Sequence, residues 1–250
     1  MNKLDIAQAV AIVRDRLETH GRRVVPTTRF EEIAAELRAI GKSLNKDTDP
    51  AITDLNDGDT VFITIRGEPT DDQTDGPLDG FCCVRLHHLG ERALPDHLAR
   101  RYRRIYGDGQ DAIDPDSLPS IARNIRGRVA TVSDVFVEPQ SRLGSRSERK
   151  RGALERLDLA GDLTILGFGL AALEWDPDWI YGFFQMRHAK LGVAVRYSVV
   201  RAWPYAIRWR VRPPNRRNDD CLLTLSRDEY QWAFEMVIRA TKEERSPDNT

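Results

Sequence analysis

Asp134 and Glu138 stand at the far end of the most strand-like run in the chain, residues 129–137, which Pro139 terminates. Carboxylates so placed can take the proton from an attacking nucleophile. Their plainer reading is as salt-bridged surface groups. Six basic residues follow, Arg142, Arg146, Arg149, Lys150, Arg151 and Arg156. Such a cluster neutralises phosphate, bidentately where the residue is Arg. Gly144, inside the cluster, lets a backbone approach an anion with no Cβ in the way. The plainer reading of residues 142–147 is a polar loop from strand to helix.

A second concentration of chemistry lies at residues 196–217, with seven arginines (Arg196, Arg201, Arg208, Arg210, Arg212, Arg216, Arg217) and no acid. Trp203, Tyr205 and Trp209 are interleaved with them. Strand alternation places Arg208, Arg210 and Arg212 on one face, which could follow a nucleic-acid backbone while the aromatics stack on bases. Arg100, Arg101, Arg103 and Arg104 could extend it. The favoured alternative is intramolecular pairing with residues 42–80, which carry ten Asp/Glu against three Lys/Arg. His87 and His88 are adjacent and fall on opposite faces of a strand, so they do not make a two-ligand metal site, and none is expected elsewhere.

The elements that must position these groups follow from periodicity and punctuation. Residues 3–19 have apolar positions at helical spacing. A second helix is expected over 30–40, with Gly41 as its stop and with Thr28 and Glu31 as a capping box. Strands are expected at 61–65 and 80–86, joined as an antiparallel pair by the polar 67–79 loop. A helix opens at Pro95 and runs through Arg104. The central strand at 129–137 comes next, then a helix from about Ser147 through Leu157. Over 160–192 two registers compete. One has a strand at 163–168 and a helix at 176–191, and the other a helix continuing through Ala172 and a strand at 179–184. Strands are expected at 193–203 and 207–211, and a last helix at 228–241 with Ser226 as its N-cap. Trp175, Trp179, Tyr181, Phe183 and Phe184 read mainly as core.

The chain has 250 residues, 40% apolar and 31% charged, with a net charge of −1. These values describe a globular chain with no global field toward nucleic acid or an anionic membrane. No apolar run reaches the roughly 20 residues that span a bilayer. The first twenty residues read as an amphipathic helix, not a signal peptide. Three cysteines without a CxxC pair fit neither a disulfide framework nor a cysteine-based zinc site. A reducing, cytoplasmic setting is expected.

The order of these elements resembles the GNAT superfamily of N-acetyltransferases, over roughly residues 60–212 apart from the helix near 95–106. Members often read V-x-D-x-x-V-x-P-x-x-R-x-x-G-x-G across the end of the central strand. Here Val132, Asp134, Val137, Pro139 and Arg142 follow that frame. The turn itself departs from it, with Gly144 as its one glycine and Ser145 three residues after Arg142. A second likeness is His188-Ala189-Lys190-Leu191-Gly192-Val193, which resembles the family's Y-x-K-x-G-F.

The resemblance implies an α/β (α+β) fold with a mixed, mostly antiparallel central sheet flanked by helices. It implies a single GNAT-like domain over 1–250, with an N-terminal helical extension (1–41) and a C-terminal helix (226–241). Acetyl-CoA, or another acyl-CoA, is the implied co-substrate. Phe136, Val137, Arg142, Leu143, Gly144, Ser145, Arg146 and Ser147 are implied to hold it through backbone N–H groups, with the next helix adding its N-terminal dipole. Glu138, or Asp134, takes the acceptor's proton. His188, in place of the family's tyrosine, or Tyr197 protonates the leaving thiolate. The acceptor is an amine on a small molecule or protein, and a homodimer is left open. The competing expectations are a non-catalytic GNAT-like module that binds a ligand or partner, and a nucleic-acid-binding protein using residues 196–217.

Overall fold

In the computed structural model the run at 129–137 becomes a strand from Gly127 to Val137 in the interior of the sheet, flanked on both sides. The structure describes residues 2–69, 74–138, 158–186, 201–213, 216 and 218–244. Within these, five helices are α1 (Lys3–Thr19), α2 (Phe30–Ala39), α3 (Leu94–Ile105), α4 (Leu159–Trp175) and α5 (Arg227–Glu244). The strands of the main sheet are β1 (Arg23–Thr27), β2 (Thr60–Arg66), β3 (Leu78–Gly90), β5 (Gly127–Val137), β6 (Trp179–Gln185), β7 (Arg201–Trp203) and β9 (Asp220–Ser226). They lie in the order β1-β2-β3-β5-β6-β9-β7. Each neighbouring pair is antiparallel except β5 and β6, which are parallel. The fold is mixed α/β with a mostly antiparallel sheet. β4 (Ile113–Asp114) and β8 (Arg208–Trp209) form a separate two-residue ladder.

Strand alternation sorts the core into two layers. Cys82, Val84, Ala130 and Val132 face α1, α4 and α5, where Leu17, Leu166, Phe168, Tyr230 and Phe234 complete the packing. On the other face, Phe62, Phe81 and Cys83 pack against α2. Val129 and Tyr181 pack there against α3 and Trp209. Cys82 and Cys83 therefore sit in different layers, and both are buried free thiols.

Several expectations are corrected. The N-terminal segment is not purely helical, because β1 pairs with β2 and extends the sheet at its edge. Thr28 and Glu31 form no capping box: Arg29 is the N-cap of α2 with no side-chain cap, and Thr27 Oγ1 instead accepts from Arg29 N at 3.1 Å. Over 160–186 the second register holds in its helix through Ala172 and its strand at 179–184, but the helix opens at Leu159 with Asp158 as its N-cap. α4 buries most of its circumference, so its sequence carries no periodicity to separate helix from strand. The expected 207–211 strand shrinks to Arg208–Trp209 and pairs with β4, not with the main sheet. Of the expected 193–203 strand, only Arg201–Trp203 falls within the described residues, and it pairs with β9, a strand the sequence reading missed. The final helix starts at Arg227 and reaches Glu244. The helix expected from Ser147 to Leu157 lies outside the described residues.

β5 and β6 share only three rungs, Val129↔Trp179, Ala130↔Ile180 and Thr131↔Tyr181, before their ladder ends. The next residue of β6 is Gly182, where an added Cβ would come within 2.9 Å of the Val132 carbonyl oxygen. Backbone meets backbone there, so a side chain has to wedge the strands apart. Gly182→Val is expected to lower stability by about 1–3 kcal/mol, the usual cost of overpacking. Urea unfolding would read this as a lower midpoint at constant slope. An unchanged midpoint would show that the strands separate freely at that point.

Candidate active site

Beyond Thr131 and Tyr181 the two central strands part company. β6 continues through Gln185 paired with β9, and β5 continues through Val137 paired with β3. The edge of residues 132–137 that faces β6 has no ladder partner among the described residues. Among the described residues the sheet thus forks in the middle, with one edge of β5 left without a ladder partner. Within the fork β5 bulges. Register shifts between Phe81 and Cys83, so Asp134 and Val135 lie together opposite Cys82. Asp134 takes a left-handed φ of 53°. Such bulges re-aim side chains and collect at functional sites.

The α3 face of the apex is polar. Arg85 of β3, Thr131 of β5 and Tyr181 of β6 form one row across three strands. Thr131 and Tyr181 are direct partners across the β5–β6 ladder. One step back is His87, opposite Val129, and one step into the fork is Ser133, opposite Cys83. α3 lies over this row and supplies His97, whose ring is 4.8 Å from that of His87. One turn on, Arg101 donates to the Asp47 carbonyl at 2.9 Å and stands 3.9 Å from its carboxylate. Arg85 donates to the Asp54 carbonyl at 3.2 Å and stands 3.7 Å from Asp59.

Burial controls the charge states here. It pushes His87 well below the usual histidine range, with the Arg101 guanidinium adding to the effect. His97 falls to about 4 for the same two reasons, burial first. Both imidazoles are therefore neutral near pH 7. Burial raises the Tyr181 phenol to about 12. Five buried polar atoms of this patch have no hydrogen-bond partner among the described residues: Arg85 Nε and Nη1, His87 Nε2, His97 Nε2 and Ser133 Oγ.

The sequence-predicted residues separate. Asp134 is at the bulge, its side chain 2% exposed and 3.8 Å from Lys42 Nζ. It accepts from Asn45 N at 3.1 Å, from Asn45 Nδ2 at 2.6 Å and from the Thr48 hydroxyl. Burial raises its pKa, and the Lys42 ammonium and Thr48 hydroxyl oppose the rise. The carboxylate ties the 42–48 segment to the central strand. Phe136 is half-buried against the α2 layer and Val137 is buried on the opposite face. Glu138 follows the strand, half-buried, its N–H donating to the Asp79 carbonyl at 2.9 Å. Arg142, Leu143, Gly144, Ser145, Arg146, Ser147, His188 and Tyr197 lie outside the described residues. The first turn of α4 is occupied by its own acids: Asp158 accepts from Gly161 N, and buried Asp162 pairs with Arg16.

Among the described residues the arginine-rich stretch does pair within the chain, with acids outside 42–80. Arg201 meets Glu229 at 2.5 Å, Arg208 meets Asp114 at 3.7 Å and Arg216 meets Asp220 at 2.9 Å. Arg210 lies 3.7 Å from both Asp111 and Asp114. Acids of 42–80 pair instead with Arg22, Arg29, Arg38, Arg85 and Arg101. Trp209 is a core residue, stacked on Tyr102 with centroids 5.3 Å apart, its indole N–H donating to Asp220 at 2.8 Å. Arg101 is buried under α3 and cannot belong to a surface stripe.

Sequence reasoning missed the apex cluster. The signal was there: Arg85 and His87 share a face of an otherwise apolar strand, and His97 and Arg101 are four apart on one helix face. His88 is exposed on the opposite face, as expected. Among the described residues no group of three or more His, Cys, Asp or Glu could hold a metal, and no helix is long and apolar enough to cross a membrane.

No family model and no curated protein matches the chain. Among solved structures it is similar to Arabidopsis thaliana NAA60 in complex with acetyl-CoA, at 13% identity and TM-score 0.44 over 82% of this chain and 98% of that one. It is also similar to FeeM, an N-acyl amino acid synthase from uncultured soil microbes, at 14% identity and TM-score 0.35 over 93% and 91%. A third is BjaI, a CoA-dependent acyl-homoserine lactone synthase with MTA, at 14% identity and TM-score 0.34 over 89% and 82%. Likeness at this level carries no assignment of activity.

Proposed function

We propose that the chain is an acyl-CoA-dependent N-acyltransferase, moving an acyl group, in the simplest case acetyl, onto an amine. The observation that supports it is the fork: a central strand with a backbone edge that has no ladder partner among the described residues, beside a bulge and a buried polar cluster. In this reading the thioester arm lies in the gap between β5 and β6. A backbone N–H from 132–137 polarises the thioester carbonyl, and Phe136 and Val137 wall the slot. The amine nitrogen attacks the carbonyl carbon, the C–S bond breaks, and the proton lost from nitrogen ends on the thiol. Glu138, at the strand's end, takes that proton, while Asp134 positions the 42–48 segment beside the bulge. Arg142, Leu143, Gly144, Ser145, Arg146 and Ser147 face the pyrophosphate in this proposal, and His188 or Tyr197 returns a proton to sulfur.

Acetyl-CoA tests this directly. A ligand bound to the native state at a hundredfold excess over its Kd stabilises by about 2.7 kcal/mol, so Tm should rise saturably by several degrees. With an amine acceptor, free thiol should then accumulate. No stabilisation by acetyl-CoA would sink the proposal. Stabilisation without thiol release on any amine would leave a binding module.

A further inference from the structure

The apex cluster has more hydrogen-bond donors than the fold uses. Arg85 Nε and Nη1 and Ser133 Oγ are buried without partners, next to the equally unpartnered Nε2 atoms of His87 and His97. His87 is only 7% exposed and Arg101 9%. Native proteins leave few such atoms unsatisfied, because each has given up water for nothing. Guanidinium nitrogens and a hydroxyl all donate, and a neutral imidazole donates from one nitrogen. What is missing is a group that only accepts.

Charge points the same way. Burial, and after it the nearby Arg101 guanidinium, disfavours the Arg85 cation. Their carboxylate neighbours, Asp59 at 3.7 Å and Asp47 at 3.9 Å, stand beyond hydrogen-bonding distance. An anion between two guanidinium groups removes their repulsion and fills their donors. The neutral imidazoles add donors without adding charge. Asp47 and Asp59 already balance the two arginines formally, so a single negative charge suits the site better than a phosphate carrying nearly two. The position matters as well, since Arg85 shares its row with Thr131 and Tyr181, at the closed end of the fork.

We propose that the acceptor amine carries a carboxylate, and that Arg85 and Arg101 hold that carboxylate at the apex while the amine points along β5 toward the thioester. This rests on the acyltransferase reading for the amine's role, but the anion site itself does not.

The test uses the full chain in three forms: wild type, Arg85→Gln and Arg101→Gln. Each is titrated by thermal shift with acetyl-CoA and, separately, with the standard amino acids, β-alanine and 4-aminobutyrate, each alongside its own amide. At least one amino carboxylate is expected to stabilise the wild type saturably, while its amide does not. Either substitution should weaken that binding by about tenfold or more and leave stabilisation by acetyl-CoA intact. A purely structural arginine would not move the preference for acid over amide. If Arg85→Gln does not fold, Arg85→Lys, which keeps the charge but loses the planar fork, gives the same reading. The proposal is overturned if no amino carboxylate binds, if amides bind equally, or if the variants bind as the wild type does. Failure of acetyl-CoA alone, with the acid-over-amide preference intact, would remove the acyltransferase reading and leave the anion site standing.

Discussion

Asp134→Ala is expected to cost the fold about 3–5 kcal/mol, the range found when one member of a buried ionic group is removed. Its side chain, 2% exposed, is the shared acceptor for Asn45 N, Asn45 Nδ2 and Thr48 Oγ1, with Lys42 Nζ at 3.8 Å. Deleting the carboxylate leaves those donors buried and a lysine uncompensated, each a separate loss. The backbone adds to it, because φ at this residue is 53° and alanine tolerates the left-handed region less well than aspartate does. Asp134→Asn keeps the shape and the backbone preference but offers two donors where only acceptors are wanted, so it should fall between wild type and alanine. Urea unfolding measures both. Because the 42–48 segment hangs on this residue, proteolysis in that segment should accelerate along with the loss of stability. A variant that kept its unfolding midpoint yet lost acyl transfer would instead put Asp134 into the chemistry as a proton acceptor.

Acid should unfold the protein through the apex. His87 and His97 have folded-state pKa values below the unfolded value of about 6.5. Between those values the unfolded chain binds more protons than the native one, so stability rises with pH across the window. The contribution is complete above about pH 6.5. It is lost as pH falls below that, through about 4 for His97, with the lowered His87 adding to the loss. For His97 alone the shift sets an upper limit of about 3 kcal/mol, reduced by its partial solvent access. Asp162 works the other way. Burial raises it to about 6, so between about 4 and 6 the native state binds the extra proton and gains stability on acidification. The measurement is therefore a difference. The unfolding free energy of wild type and of the double variant His87→Gln/His97→Gln is compared from pH 7 down to 4.5. The wild type should lose more, by at least 1–2 kcal/mol on this order-of-magnitude reckoning. Parallel losses would mean that both imidazoles are protonated, or reach water, in the folded protein.

Much of the scaffold was legible because its signals are local. α1 shows buried positions spaced three and four residues apart (Ile6, Ala9, Val13, Leu17), as any one-sided helix must. β2, β3 and β5 announce themselves by β-branched and aromatic runs bounded by turn residues. The likeness to a GNAT sheet was drawn from that same order of elements. α4 was illegible for a physical reason. A helix enclosed on nearly every side has no polar face, and without one its period disappears. β1 was hidden by its brevity and by Pro26, which an edge strand tolerates. The pairing of the arginine-rich stretch was misjudged because charge totals say which signs must balance, not which side chains meet.

The sequence by itself determined the strand that ends at Val137, the faces on which Cys82, Cys83, His87 and His88 fall, and the mixed α/β class, since each follows from a period of two or 3.6 along a few residues. Only the tertiary structure decided that Asp134 is an anchor for residues 45 and 48, that β5 parts from β6 after Thr131, and that Arg85, His87, His97, Arg101, Ser133 and Tyr181 share one buried patch. Those juxtapositions join residues from three strands, a helix and a loop. Their partners are set by packing across the sheet, and no spacing along the chain encodes it.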